Sequence, residues 1–155
     1  MFALIFGLSF LANAQDVQTN QPKGYQFTDI KRLPATSVKD QARAGTCWSW
    51  SGISFFESEM IRTGKEPIDL SAMYIVRHAY SDKATKFVRL HGNMNFAVGG
   101  AFCDVMHVIK NYGIVPMDVY NGLNYGEPNH AFGEIDDVLA GYVNAVIKNS
   151  NKKLS

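Results

Sequence analysis

The densest run of chemistry-bearing residues is Gln41-Ala42-Arg43-Ala44-Gly45-Thr46-Cys47-Trp48-Ser49-Trp50. Its cysteine is preceded by Gly45-Thr46 and followed by a long amphipathic stretch. Gly45 therefore predicts a sharp turn, Thr46 an N-cap, and Cys47 the first turn of a helix. At a helix start the unpaired backbone N–H groups and the positive end of the dipole favour thiolate over thiol. A thiolate is the nucleophile that acyl transfer needs. The side-chain amide of Gln41, carried close by the intervening loop, is the candidate donor to a developing oxyanion. A lone cysteine is ordinarily a small, inert, buried residue. Here the amide, the cap and the aromatic neighbour occur together, and they carry the nucleophile reading of Cys47.

The remaining candidates do not form a second site of comparable order. Cys103 and His107 are four apart on an expected helix and could face one cation, but a metal site needs three or four ligands and no third is placed near them. Cys103 lies beside an apolar face, where a buried thiol is ordinary. His78, His91 and His130 stand apart in the chain, and there is no glycine-rich phosphate loop and no pair of carboxylates at catalytic spacing. Neither a metal nor any other cofactor is expected. The apolar share of 46% and a formal net charge of +1 describe a globular protein and give no sign of a nucleic-acid partner. Two cysteines exclude a disulfide scaffold.

The elements that must position the site are mainly helical. Tyr25 to Val38 alternates apolar and charged residues around Leu33-Pro34 and predicts an extended strap or edge strand leading to the Lys39–Thr46 loop. A central helix is expected over Cys47–Thr63. Trp50, Ile53, Phe56 and Met60 give it one apolar face, and Trp48, Phe55 and Ile61 imply burial on more than one side. Gly64 closes it. A second helix is expected from Ala72 to Tyr80, then a loop over Ser81–Asn95. Gly99-Gly100 opens a third helix reaching Tyr112, with Phe102, Val105, Met106 and Ile109 on its apolar face. Ile114–Tyr120 reads as a short strand around Pro116 and Asn121–Asn129 as a loop. A last helix carries Ile135, Val138, Leu139, Tyr142, Val143, Val146 and Ile147, before a basic tail from Asn149.

Gln41, Gly45, Cys47 and Trp48 resemble the active-site segment of papain-like cysteine peptidases, whose local pattern is Cys-Gly-(Ser/Ala)-Cys-(Trp/Tyr). Ala44 stands where the family has its first cysteine, and Thr46 replaces the small residue before the nucleophile. With Leu70-Ser71, Ala72 in place of an acidic residue, and Gly99-Gly100, the chain is most similar to the bleomycin hydrolase and aminopeptidase C branch, from about Val38 onward. The resemblance implies an α+β fold of which this chain is the mainly helical N-terminal half. It implies peptide substrates, with Cys47 as nucleophile and Gln41 in the oxyanion site. Trp48, Gly99 and above all Gly100 would contact the substrate backbone, and Glu57 would be a buried structural residue. Homo-oligomers occur among the related enzymes.

In papain relatives the histidine base and its asparagine lie about 130–150 residues beyond the cysteine. That interval opens near position 177, past Ser155, so the β-rich half with the base is expected outside this sequence. At the other end, Phe2 to Leu11 is apolar and Ala12-Asn13-Ala14 precedes Gln15. This is the pattern of a cleaved secretory leader over residues 1–14 and is too short to span a bilayer. The reading is an exported cysteine peptidase, an aminopeptidase by resemblance, with residues 15–155 as the truncated peptidase domain. Two alternatives stand beside it: a non-catalytic binding or structural protein that keeps this half-domain, and a thiol redox protein, which the lack of a Cys-x-x-Cys pair disfavours.

Overall fold

The computed structural model describes residues 24–25, 27–124 and 126–148. They hold four helices, α1 (Cys47–Arg62), α2 (Ala72–Arg89), α3 (Phe102–Tyr112) and α4 (Gly133–Lys148). The expected leader and the basic tail lie outside the described residues. The chain divides into two compact units, Met1–Lys31 and Arg32–Ser155. In the first, the described backbone from Gly24 has no regular structure, and the Tyr25 and Phe27 rings are 6.3 Å apart. The strand expected across Tyr25–Val38 does not form among the described residues. All that follows concerns the second unit. Among the described residues no helix is long and apolar enough to cross a membrane.

α1 begins at Cys47 and ends one residue before the expected boundary. Gly64 is its C′ residue, as expected, with the N–H of Lys65 donating to the Met60 carbonyl (2.9 Å) and that of Gly64 to Ile61 (2.9 Å). Trp48, Ser49, Gly52, Ile53 and Glu57 form its buried side. Phe55 does not join them; it is 51% exposed and stacks edge-on with Phe102. A Cβ on Gly52 would lie 2.8 Å from Val105 Cγ2, so α1 and α3 approach more closely than a larger residue permits. Ser49 Oγ donates to the Ala72 carbonyl at 2.8 Å and fastens α1 to the start of α2.

α2 is capped by Ser71, whose Oγ accepts from the Tyr74 N–H (2.9 Å) and donates to the Tyr120 carbonyl (2.5 Å). It runs nine residues beyond Tyr80, so the loop expected over Ser81–Asn95 is helix as far as Arg89. Tyr80, Ala84 and Phe87 recur at i, i+4 and i+7, and Tyr80 and Phe87 are buried. Charged residues between them hid that period, although Lys and Arg are good helix formers. His91, in the left-handed region at φ 52°, closes α2, with its N–H on Val88 and that of Gly92 on Phe87.

Gly99-Gly100 precedes α3 without being part of it. The Ala101 N–H donates to Asp104 Oδ2 at 2.8 Å, which caps the helix. The buried face of α3 is Val105 and Val108, both 0% exposed, while Phe102 and Met106 remain about half exposed. With Ile53, Ala72, Ile75 and Val76, these valines form the centre of the core. Full burial of each branched side chain stabilises the fold by about 1.5–3 kcal/mol before entropy is counted.

The strand expected over Ile114–Tyr120 reduces to one antiparallel bridge between Leu70 and Pro116, followed by a turn. Pro116 has no N–H, and the bridge is closed by its neighbours: Ser71 N–H to Val115 (2.9 Å) and Met117 N–H to Asp69 (2.8 Å). A parallel bridge joins Arg43 to Ala131. The α+β expectation is therefore met on its helical side, and no strand forms among the described residues. α4 buries only Val143; Ile135, Val138 and Tyr142 are 48%, 64% and 68% exposed. They line an open apolar groove of about 670 Å³ against α2.

Candidate active site

The loop before α1 is shaped by local chemistry. Asp40 Oδ1 accepts from the Ala42 N–H at 2.7 Å, and Ala42 takes φ 50°. Gly45 follows at φ 63°, a conformation costly for other residues, and a Cβ there would lie 3.3 Å from Val98 Cγ1. The loop is held from outside as well: the Arg43 N–H donates to the His130 carbonyl (2.9 Å) and the Phe132 N–H to Arg43 (3.3 Å). These bonds fix the backbone two residues beyond Gln41. Nothing in the sequence around His130 marks this contact.

Thr46 occupies the cap position, but its side chain does not cap. The hydroxyl is buried and accepts from Trp50 Nε1 at 3.0 Å, tying the first turn of α1 together from the side. Cys47 is the first helical residue, and its side chain is exposed. Gln41 is half-buried; its Oε1 is enclosed without a hydrogen-bond partner, and no hydrogen bond joins its amide to Cys47 among the described residues. Ala44 is 1% exposed, so the position where the resembled family has a cysteine is filled here by a buried methyl.

Trp48 and the glycine pair are brought together. Trp48 Nε1 donates to the Val98 carbonyl at 3.0 Å, and a Cβ on Gly100 would lie 2.5 Å from Trp48 Cε2. Gly100 thus rests on the indole face, where no side chain fits. Gly99 meets nothing within 4 Å on its Cβ side. Both glycines are exposed.

Glu57 is 1% exposed and fully engaged, as expected. It accepts from Lys39 Nζ (2.6 Å), Thr36 Oγ1 (2.5 Å) and the Leu70 N–H (2.7 Å). Lys39 also meets Asp69 at 2.9 Å. Burial alone would lower the Lys39 pKa, but bonding to Glu57 and Asp69 outweighs it and holds the ammonium above its ordinary range.

The histidines are occupied elsewhere. His78 lies between Tyr74 and Tyr112, His107 Nε2 meets Asp82 at 3.2 Å, and His130 packs on Trp50. His91 closes α2. None bonds to Cys47. His130 is 7% exposed with Nδ1 unpaired among the described residues, and burial pushes its pKa down. Cys103 is exposed, against the expectation of a buried thiol. Among the described residues no three His, Cys, Asp or Glu side chains group as metal ligands.

An exposed cysteine opening α1, a tryptophan after it and a glycine seated on that tryptophan agree with the comparison of the sequence with known families. The model of the papain family cysteine protease matches residues 21–136 of the 155. A comparison with curated proteins returns no match. The match extends over the Lys39–Thr46 loop, α1, α2 and α3, and the chain belongs to the papain family of cysteine proteases.

Proposed function

We propose that the chain carries the nucleophile, the oxyanion donor and one wall of the cleft of a cysteine aminopeptidase similar to the bleomycin hydrolase branch. The observation that carries this reading is the exposed Cys47 at the first position of α1, next to a tryptophan that floors Gly100. In the first step the Cys47 thiolate attacks the carbonyl carbon of a peptide bond. The Cys47 backbone N–H and the Gln41 amide hold the oxyanion. The C–N bond breaks as an imidazolium protonates the leaving amine, and the thioester is then hydrolysed by water. In this reading the imidazole is none of His78, His91, His107 or His130, and it comes from outside residues 1–155.

Gly100 pairs with the substrate backbone, and Gly99 and Trp48 shape the surface around it. The buried Ala44 supports the bleomycin hydrolase-like assignment, since a disulfide-forming cysteine is replaced there by a methyl. The same reading takes residues 1–14 as an export leader, and a mature N-terminus at Gln15 by Edman degradation checks it.

The test of the nucleophile uses both thiols. Cys47 and Cys103 are free and exposed, so accessibility alone would label both. A peptidyl epoxysuccinate is expected to modify Cys47 and spare Cys103, as read by peptide mass mapping, and Cys47→Ala is expected to remain unlabelled. A reagent with a free α-amino group should react faster than its N-acetyl counterpart. Equal labelling of the two cysteines, or none at Cys47, would overturn the peptidase reading in favour of a binding protein that keeps the fold.

A further inference from the structure

The segment from Phe96 to Ala101 carries the glycine pair, yet it has no ladder of its own. Its backbone is held by side chains of the flanking helices. The Val98 carbonyl is taken by Trp48 of α1. The carbonyls on either side of it, those of Ala97 (3.3 Å) and Gly99, both accept from Nζ of Lys83 on α2. The Ala101 N–H is taken by Asp104. From Ala97 to Ala101, Gly100 alone keeps both backbone groups without an intramolecular partner among the described residues.

Lys83 is tied to the site from below as well. Its ammonium lies over the Trp48 ring at 5.5 Å and the Tyr80 ring at 5.6 Å. Tyr80 is itself fixed by its hydroxyl, which donates to Asp136 at 2.6 Å. Bonds from an ammonium to a carbonyl are stronger than neutral ones, and the two aromatic faces add a further attraction for a cation. Burial pushes the Lys83 pKa down, while the charges of Asp104 and Asp136 act in the opposite direction. Lys83 lies in the part of α2 that the sequence presents as a loop; the Tyr80–Ala84–Phe87 spacing is the signal that would have placed it.

We propose that Lys83 is a positioning residue for peptide binding: it holds the Gly99 carbonyl and the Trp48 ring so that Gly100 alone offers its N–H and C=O to an extended substrate. The inference rests on the peptidase reading above and deepens it. With the ammonium removed, the Gly99 carbonyl becomes a competing acceptor one residue out of register. The peptide then binds in mixed registers relative to Cys47, and small misplacements of a reacting carbonyl are expensive.

The experiment compares two rates at Cys47 in the full chain, inactivation by a peptidyl epoxysuccinate and alkylation by iodoacetamide, which makes no backbone pairing. Lys83→Met keeps the stem and loses the charge; Lys83→Arg keeps the charge and the donors. In Lys83→Met the peptidyl rate is expected to fall about tenfold while the iodoacetamide rate holds within about twofold. Lys83→Arg should recover most of the peptidyl rate. An unchanged ratio of the two rates in Lys83→Met would overturn the inference and leave the peptidase reading standing. A parallel fall of both rates, or a Lys83→Arg variant as impaired as Lys83→Met, would assign Lys83 to general packing and overturn it too. A wild-type chain with no preference for the peptidyl reagent over its peptide-free epoxide would remove the peptidase reading and this inference together.

Discussion

A methyl group on Gly100 would lie 2.5 Å from Trp48 Cε2, whereas one on Gly99 would meet nothing within 4 Å. The two neighbours therefore respond differently to the same change. Gly100→Ala must push the segment off the indole, and overpacking of this kind costs about 1–3 kcal/mol. Gly99→Ala is expected to leave stability within about 0.5 kcal/mol of wild type. Urea unfolding of the two variants checks the contrast; equal midpoints would mean that the Gly100–Trp48 seat is not tight. In the sequence the pair looks like an ordinary turn, and nothing local distinguishes its members. The distinction comes from a tryptophan some fifty positions earlier, whose indole N–H reaches the Val98 carbonyl.

At the scale of elements, Glu57 joins three pieces of chain that have no ladder between them. It lies on α1, accepts from Thr36 and Lys39 at the entry to the loop before α1, and accepts from the Leu70 N–H ahead of α2. Removing a buried carboxylate leaves its donors unpaired, so Glu57→Ala is expected to destabilise the fold by about 3 kcal/mol. Glu57→Gln, which keeps an acceptor for Leu70, should cost less. A lowered urea midpoint at constant slope is the expected readout, and a midpoint within experimental error of wild type would refute it. A charge inside an apolar helix was visible in the sequence, but its partners were not. The same holds for α2 beyond Tyr80 and for the face of α3 that is buried. Both were settled by what they pack against, since Phe87 and Val108 go inside while Phe102 and Met106 stay half out.

For the whole molecule, the titrating groups predict how stability depends on pH. His130 is lowered by burial, and His78 by burial and by the charge of Arg77. A histidine whose folded pKa is depressed adds stability above its unfolded value of 6.5, and that contribution is lost as pH falls through the folded value. Stability is therefore expected to decline from about pH 7 towards pH 5. His130→Phe, which keeps a ring against Trp50, should flatten part of that decline. Lys39 and Tyr80 are both raised. Their contributions are complete below their unfolded values, 10.5 and 10.0, and are lost as pH rises beyond them. Thermal melts across the range, with a steeper acid limb in His130→Phe than in wild type, would contradict the assignment.

What the sequence determined by itself was local. The turn at Gly45, the start of α1 at Cys47, the Gly64 stop and the start of α2 at Ala72 follow from backbone sterics and short-range hydrogen bonding, and the motif before α1 was enough to indicate the papain family. Tertiary structure decided what depends on distant partners. It exposed Cys103 and left the α4 face open. It also brought Lys83, His130 and Glu57 to the segments that carry the candidate site. Those outcomes are set by which surfaces meet when helices pack, and a period or a motif along the chain does not encode which residue will be across the interface.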